Sequence, residues 1–321
     1  MPSTHSTREP TRPTIDTDPA ANEVSATALS EQAFEFVRQL AEELSTGRVE
    51  LPTFPEVAIR VHRVLAVPDV TDERTERVIA SDAGLAARML TMANSAALSR
   101  GGRTIVDLRQ AVTRIGHQHT RSAAIAYAMG QVRKAEALAH IREDLHALWQ
   151  ASTLVAALAH VVAAQTRAAN ADEALLAGLM HNIGCVYILA RADRHSALFS
   201  DRAVRDAIMS DWNAHLGRSI AENWCMSDDI CEAIAEQAVA TRPHSGRRDL
   251  LDVLSVAVRT AGFRPGATDL ALIVAGSNTF QRLGIDRPML ERILTESASE
   301  VEELRSAHGP SLVHHGRGRH R

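Results

Sequence analysis

The sequence predicts an all-α protein, a multi-helix bundle with a C-terminal helical extension. Apolar residues recur at helical spacing along most of the chain, and no segment shows the alternation expected of a β-strand. Aromatic residues make up only 3% of the 321 residues, whereas Ala and Leu are abundant. Cores built from Ala, Leu, Val and Met suit packed helices better than sheets, which favour β-branched and aromatic side chains.

The N-terminal third is predicted to hold a leader and several short helices. Residues 1–25 are polar and rich in Thr and Pro, which predicts a disordered leader. An N-terminal helical unit spans 26–50, with a helix near Leu29–Leu44 that Gly47 ends. Pro55 suits the first position of the next helix. The predicted caps of the helices that follow are Thr71 or Asp72, Asp82 and Asp107 at their starts and Gly116 at the end of the last one.

The remaining two thirds also predict helices. Asp172 is the expected N-cap of the helix that carries His181. The segment Thr241–Asp249, with its Pro and Gly, is the expected boundary before a C-terminal extension over 246–305, and 306–321 reads as a disordered tail. The other predicted helices are Thr120–Val132, Ala135–Leu148, Trp149–Ala164, Arg202–Met209, Ala214–Trp224, Ile230–Val239, Leu250–Ala261, Leu270–Leu283 and Met289–Leu304.

Charge and composition exclude some function classes. A net charge of −4, from 35 Lys and Arg against 39 Asp and Glu, makes nucleic acid an unexpected partner. The longest apolar stretch, Leu154–Ala164, contains His160 and is too short to span a bilayer, so no membrane contact is expected. The odd set Cys185, Cys225 and Cys231 contains no C-x-x-C pair, which fits a reducing cytoplasm.

The most informative motif is His181 followed by Asn182, at the end of an apolar helical run from Glu173 to Gly184. A His-Asp doublet there could bind a divalent ion through imidazole and carboxylate. The amide of Asn182 supplies no negative charge, and a hard cation held by few ligands needs one. The sequence therefore favours a helical scaffold over a metal enzyme.

Several further segments, in this order and spacing, resemble the HDOD domain, a catalytically degenerate branch of the HD phosphohydrolase superfamily. They are Leu51-Pro-Thr-Phe-Pro-Glu-Val57, Val78–Ser95, Ile105–Gly116, Leu148-Trp-Gln-Ala-Ser-Thr153, Ala177-Gly-Leu-Met-His-Asn-Ile-Gly184 and, more weakly, Leu216-Gly217 and Trp224. The resemblance covers residues 51–245. It implies an orthogonal helical bundle of the HD type, no accepted hydrolase activity and a regulatory role in bacterial signalling.

The chain departs from the metal-binding pattern of that superfamily at several positions. Ser152 stands where an active enzyme has its first histidine, and Asn182 replaces the aspartate beside His181. Asn213 stands where many relatives have a histidine, and Gln237-Ala238 where they often carry a His-His pair. The resemblance thus implies vestigial positions at Ser152, His181 and Asn182, with no metal and no cofactor.

The residues offer two other possible kinds of site. His160 and His215 could join His181 as zinc ligands, but no H-x-x-x-H pair puts two of them on one helix face. Ile79–Leu85 resembles a helix-turn-helix turn, yet the helix after it is too apolar to read DNA.

Two more groups of polar residues are candidate ligand or partner contacts. Asn94 and Ser95 are expected to end a helix, although they could face a partner. Arg109, Arg114 and Arg121 form a basic series that is either a solvated face or a phosphate pocket.

The expected function is therefore non-enzymatic: a cytoplasmic regulatory or scaffold protein that contacts signalling proteins. The alternatives are a metal-dependent phosphohydrolase acting on a nucleotide and a binding module for a phosphorylated small ligand.

Overall fold

The structure is a computed structural model that describes residues 19–47, 54–95, 104–191, 199–237 and 246–306, together with residues 49, 51, 98 and 195. Within these residues the regular secondary structure is helical and no β-strand occurs, which confirms the predicted all-α class. The helices α1 to α15 are, in order, Pro19–Ser45, Glu56–Leu65, Asp72–Ile79, Ala83–Ala93, Leu108–Ile115, His117–Lys134, Arg142–Thr166, Ala171–Met180, Ile183–Leu189, Arg202–Asn223, Asp228–Glu236, Leu250–Thr260, Leu270–Ala275, Asn278–Leu283 and Arg287–Ser306. A 3₁₀ helix, Glu136–Ile141, precedes α7.

Side-chain caps fix several helix starts where the sequence predicts them. Thr71, Asp82 and Asp107 each accept a hydrogen bond from the backbone N–H three residues later. Gly116 ends α5 with a φ of 80°, a conformation that favours glycine. The predicted cap at Asp172 is wrong, because Asn170 accepts the N–H groups of Asp172 and Glu173 and so begins α8.

Some helix boundaries differ from the expectation. The first helix begins at Pro19, inside the stretch 1–25 assigned to a disordered leader, and residues 1–18 lie outside the described part. The expected break between Leu148 and Trp149 is wrong, because α7 runs unbroken through both. The tail beyond residue 306 and most of the expected boundary 241–249 also lie outside the described residues.

The core is centred on α7 and α8, which form an antiparallel pair. A Cβ placed on Gly178 of α8 would lie 2.7 Å from the backbone nitrogen of Ala156 on α7, so the two backbones are in direct contact. Buried alanines and branched residues of both helices fill the rest of this interface. Helices approach this closely only where small side chains lie between them.

The other helices surround this pair. The C-terminal helix α15 packs on α7, where His160 contacts Glu300 at 3.1 Å and Gln165 donates to Glu296 at 2.6 Å. At the opposite end of the chain, Phe36 of α1 is buried with edge contacts to His195 and Phe199. The predicted C-terminal extension is therefore packed against the central helix of the bundle.

Helix α7 alone is long and apolar enough, by length and composition, to cross a membrane within the described residues. Of its most apolar 18-residue window, 56% is buried against other helices. The central helix of a folded bundle has the same properties.

We predict that Gly178→Ala lowers the free energy of unfolding by about 1–3 kcal/mol, because the added methyl group forces the α7 and α8 backbones apart. The measurement is urea unfolding followed by circular dichroism. The matched control is Gly130→Ala in α6, where an added Cβ has no neighbour within 4 Å. That control should keep or raise stability by up to about 1 kcal/mol, since Ala is the better helix former. Equal effects at both positions would contradict the close contact.

Candidate functional site

His181 lies directly after α8, and its side chain is 5% exposed. Its Nδ1 lies 2.7 Å from the carbonyl oxygen of Gly178. Because a carbonyl only accepts, this contact assigns the proton to Nδ1 and leaves the lone pair on Nε2. Burial lowers the pKa of His181 to about 4, against the partial compensation of the Gly178 hydrogen bond. The imidazole is therefore neutral near pH 7.

The backbone carbonyl of His181 is held by two amide side chains from other helices. Asn213 of α10 donates its Nδ2–H at 2.9 Å, and Gln237, just after α11, donates its Nε2–H at 2.8 Å. The Oδ1 of Asn213 also accepts the backbone N–H of Cys185 at 3.0 Å, which ties down the first turn of α9. Helix-terminal carbonyls lack an intrahelical partner, so these amides satisfy an otherwise orphaned group. We call His181, Asn213 and Gln237 the amide clamp.

The two other predicted vestigial positions flank this region. Ser152 is buried on α7, four residues before Ala156, and the antiparallel register set by Gly178 and Ala156 puts it near the end of α8. Asn182 is partly exposed and precedes α9 as its N-cap residue, but its side chain makes no capping hydrogen bond. The positions predicted from the sequence thus gather at one end of the α7–α8 pair.

The donor set around His181 does not fit a divalent cation. Such an ion needs several anionic or imidazole ligands in one place. The residues present are one imidazole, a serine hydroxyl, the Asn182 amide and two amides already bonded to a carbonyl. Among the described residues, no three His, Cys, Asp or Glu side chains are grouped so that they could hold a metal.

The histidines weighed as further ligands have other contacts. The Nδ1 of His160 lies 3.1 Å from the carboxylate of Glu300. His215 lies edge-on to Trp212, with 6.5 Å between ring centroids. Their surroundings account for both side chains without a metal.

Asn94 connects α4 to the segment before α5. Its Nδ2 donates to the carbonyl oxygens of Leu90 at 2.9 Å and Ile105 at 2.7 Å, and its Oδ1 accepts the N–H of Ile105 at 2.8 Å. Ser95 is partly buried, and its backbone N–H donates to Met92. These bonds agree with the structural interpretation of the pair.

The three arginines of the basic series have separate partners. Arg109 pairs with Glu76 at 2.9 Å, Arg114 donates to the carbonyl of Ala93 at 3.2 Å, and Arg121 donates to that of Leu65 at 2.7 Å. Burial lowers the pKa of Arg121, which Glu173 partly offsets. Each arginine of the series therefore has a structural contact of its own.

Sequence reasoning named Asn213 and Gln237 as departures from a pattern but did not include them among the site residues. The sequence did contain a signal for including them. Both positions carry an amide where relatives have histidine, which indicates that the two replacements belong to one site. Their common acceptor, the His181 carbonyl, could not be found from the sequence because residues 181, 213 and 237 belong to three separate helical segments, the first and last at helix ends.

An all-helical bundle with this arrangement at the end of α8 defines a protein of the HD type. Residues 51–240, more than half of the chain, match the HDOD domain family. The chain belongs to the HDOD domain family, which is related to the HD phosphohydrolase superfamily.

Solved structures show the same fold. A "Putative metal-dependent phosphohydrolase" from Shewanella amazonensis SB2B is 25% identical, with a TM-score of 0.67 over 87% of this chain and 99% of that one. An HDOD domain protein from Geobacter sulfurreducens is 23% identical, with a TM-score of 0.57 over 84% and 96%. A "Putative signal transduction protein" from Marinobacter aquaeolei VT8 is 19% identical, with a TM-score of 0.58 over 88% and 65%.

A curated relative from Treponema pallidum (strain Nichols), described only as "Uncharacterized protein", is 24% identical over 280 residues. The match covers 83% of this chain and 53% of the relative, so the chain spans about half the length of that protein.

We predict that Asn213→Ala destabilises the fold by about 2–4 kcal/mol, because it leaves the Cys185 N–H without its acceptor and removes one of two donors to His181. Gln237→Ala removes a donor only and should cost less, about 1–2 kcal/mol. Chemical unfolding of both variants gives the two values. A larger loss for Gln237→Ala than for Asn213→Ala would contradict the clamp geometry.

We also predict that acid destabilises the protein through its buried histidines. Burial lowers the pKa of His62 to about 4, with Arg121 adding to the effect, and burial does the same for His181. The unfolded chain therefore binds more protons between about pH 6.5 and 4, and stability falls as the pH drops through that window. At pH 5 each histidine should lower the free energy of unfolding by about 2 kcal/mol relative to pH 7.5.

The measurement is the free energy of unfolding at pH 7.5 and pH 5.0 for the wild type and for His181→Gln. The variant should lose less stability between the two pH values, since one of the two titrating groups is gone. An unchanged difference would show that His181 has the same pKa in the folded and unfolded states, as an exposed imidazole would.

Proposed function

We propose that this HDOD protein is a non-enzymatic regulator of bacterial signal transduction that acts through contact with signalling proteins. The observation that carries the proposal is the amide clamp. Where the superfamily pattern places metal ligands, Asn213 and Gln237 donate hydrogen bonds to the His181 carbonyl instead. Those side chains stabilise a helix end, and they offer no anionic group to a cation.

The similar proteins are consistent with this proposal in part. The Marinobacter protein is named for signal transduction and the Shewanella protein for metal-dependent phosphohydrolysis. The fold thus accompanies both descriptions, and the residues of the site must distinguish them. In this chain those residues favour regulation. No cofactor is required for it, and a cytoplasmic location fits the three free thiols.

One observation keeps the enzymatic alternative testable. His181 donates its Nδ1–H to a backbone carbonyl and keeps a lone pair on Nε2, an arrangement that metal-binding histidines also use. What the site lacks is the rest of a ligand shell. Retention of a metal by the purified protein therefore decides whether the phosphohydrolase alternative holds.

We predict that the full-length chain, purified and exchanged into Mn²⁺, Fe²⁺, Zn²⁺ or Ni²⁺, retains far less than one equivalent after desalting. His181→Ala should retain the same amount. Hydrolysis of nucleotides and of bis-p-nitrophenyl phosphate should be equal for the two proteins. One equivalent of metal in the wild type that is lost in His181→Ala, with matching loss of hydrolysis, would overturn the proposal.

The regulatory role has its own test. Crosslinking of the full chain in its native host, followed by mass spectrometry, supplies a partner that is then purified. We expect wild type and His181→Ala to bind that partner with equal affinity and to change its activity equally, because the contact does not use a metal.

A further inference from the structure

A cavity of about 440 Å³ lies away from the amide clamp, between the turn after α7 and the segment before α12. Its lining consists of Arg167, Ala168, Gly246, Arg247, Arg248 and Arg282. Four of these six residues are arginines, contributed by three separate parts of the chain. Such a convergence of like charge is unfavourable unless something offsets it, which raises the question of what the cavity binds.

Arg282 fixes the backbone on one side of the cavity. Arg282, in α14, is held by the buried carboxylate of Asp252 through Nη2–Oδ2 at 2.8 Å and Nε–Oδ1 at 3.1 Å. The same guanidinium donates to the carbonyl oxygens of Gly246 at 3.5 Å and Arg247 at 3.3 Å. Asp252 is itself fixed by a reciprocal capping box with Asp249 at the start of α12. The backbone that carries Arg247 is therefore tied to a partly buried ion pair.

The residue that ends α7 lines another side of the cavity. Arg167 ends that helix with a φ of 52°, in the left-handed conformation, and its N–H donates to Ala163 at 2.8 Å. This conformation is uncommon for a residue with a side chain. It turns the chain so that Arg167 joins Arg247 and Arg248 at the cavity.

The charges in the cavity do not cancel. Asp252 neutralises Arg282, and the carboxylate of Asp249 accepts the N–H of Asp252 at 3.0 Å. Arg167, Arg247 and Arg248 are exposed, and within the described ranges no carboxylate forms an ion pair with any of them. Even if Asp249 offsets one of them, an excess of about two positive charges remains.

We propose that this cavity binds a small phosphorylated anion with at least two negative charges, recognised through a pyrophosphate-like group. Guanidinium groups bind phosphate oxygens in pairs of charge-assisted hydrogen bonds, and several of them match adjacent phosphates. The volume is within the range of small-molecule sites. Among the described residues that line the cavity there is no aromatic ring on which a base could stack, so the phosphates carry the recognition.

This site goes beyond the proposed regulatory function and does not depend on it. An anion there would bridge the turn after α7 to the segment before α12, and the two helices themselves pack against each other. It would bind and leave unchanged, without any hydrolysis. The finding of a metal at His181 would leave this proposal intact.

The test is a calorimetric titration of inorganic pyrophosphate into the full-length chain at low salt. We expect saturable binding at one site that Arg167→Gln and Arg247→Gln each weaken about tenfold. The matched control is Arg74→Gln, which changes an exposed arginine of α3 outside the cavity and should leave affinity unchanged. Equal melting temperatures of all four proteins would show that the exposed substitutions do not unfold the chain.

Competition identifies the chemistry of the ligand. Inorganic triphosphate and ATP should displace pyrophosphate with similar affinity, because the phosphates alone are recognised. Orthophosphate should bind much more weakly. Absence of saturable binding, or binding that Arg167→Gln, Arg247→Gln and Arg74→Gln change equally, would overturn the proposal. Tighter competition by a single-stranded oligonucleotide or a phosphopeptide than by triphosphate would overturn it in favour of a macromolecular ligand.

Discussion

The direct contact between the α7 and α8 backbones at Ala156 and Gly178 constrains the rest of the structure. Two helices come this close only when the residues between them have almost no side chain, and both helices accordingly bury several alanines. The composition follows from the same requirement, since a core built on close helix contacts needs small residues and few aromatic rings. Because α8 is fixed on α7, the position of His181 at its end is fixed as well, and α12 and α15 pack against the same central helix.

The amide clamp shows how neutral amide side chains can stabilise the end of a helix. A helix end presents carbonyl oxygens that require donors, and a neutral amide can supply one. A carboxylate cannot, because it only accepts and would repel the carbonyl oxygen at short range. Asn213 donates to the His181 carbonyl and at the same time accepts from Cys185, so one side chain joins the end of α8 to the start of α9. Residues of this kind contribute to stability, and their neutral amides offer a hard cation no negative charge.

Local signals in the sequence predicted the presence of the helices better than the boundaries between them. Thr71, Asp82 and Asp107 were identified as caps because an N-cap acts within its own turn. The break expected after Leu148 is absent because tertiary packing of α7 overrides a weak change of pattern. Conversely, the single helix expected over Leu270–Leu283 is two, α13 and α14, since Gly276 ends one and the hydroxyl of Ser277 caps the next. The sequence indicated positions for a candidate site, whereas the hydrogen bonds of the amide clamp could not be predicted because they depend on three helices meeting.

The arginines show more clearly that closeness in sequence does not predict which side chains meet in the fold. Arg109, Arg114 and Arg121 are close in sequence and suggested one basic site, yet the fold directs each to a different partner. Arg167, Arg247 and Arg282 are far apart in sequence and meet at one cavity. A partly buried ion pair such as Asp252–Arg282 gains modest net stability, because the desolvation of Asp252 offsets part of the attraction. Its value lies in orientation, since a guanidinium locked by a buried carboxylate can hold backbone carbonyls that a mobile surface side chain could not. This pair fixes the backbone beside Arg247, and the proposed polyanion would compensate the charges of Arg167, Arg247 and Arg248, with which no carboxylate of the described chain forms an ion pair.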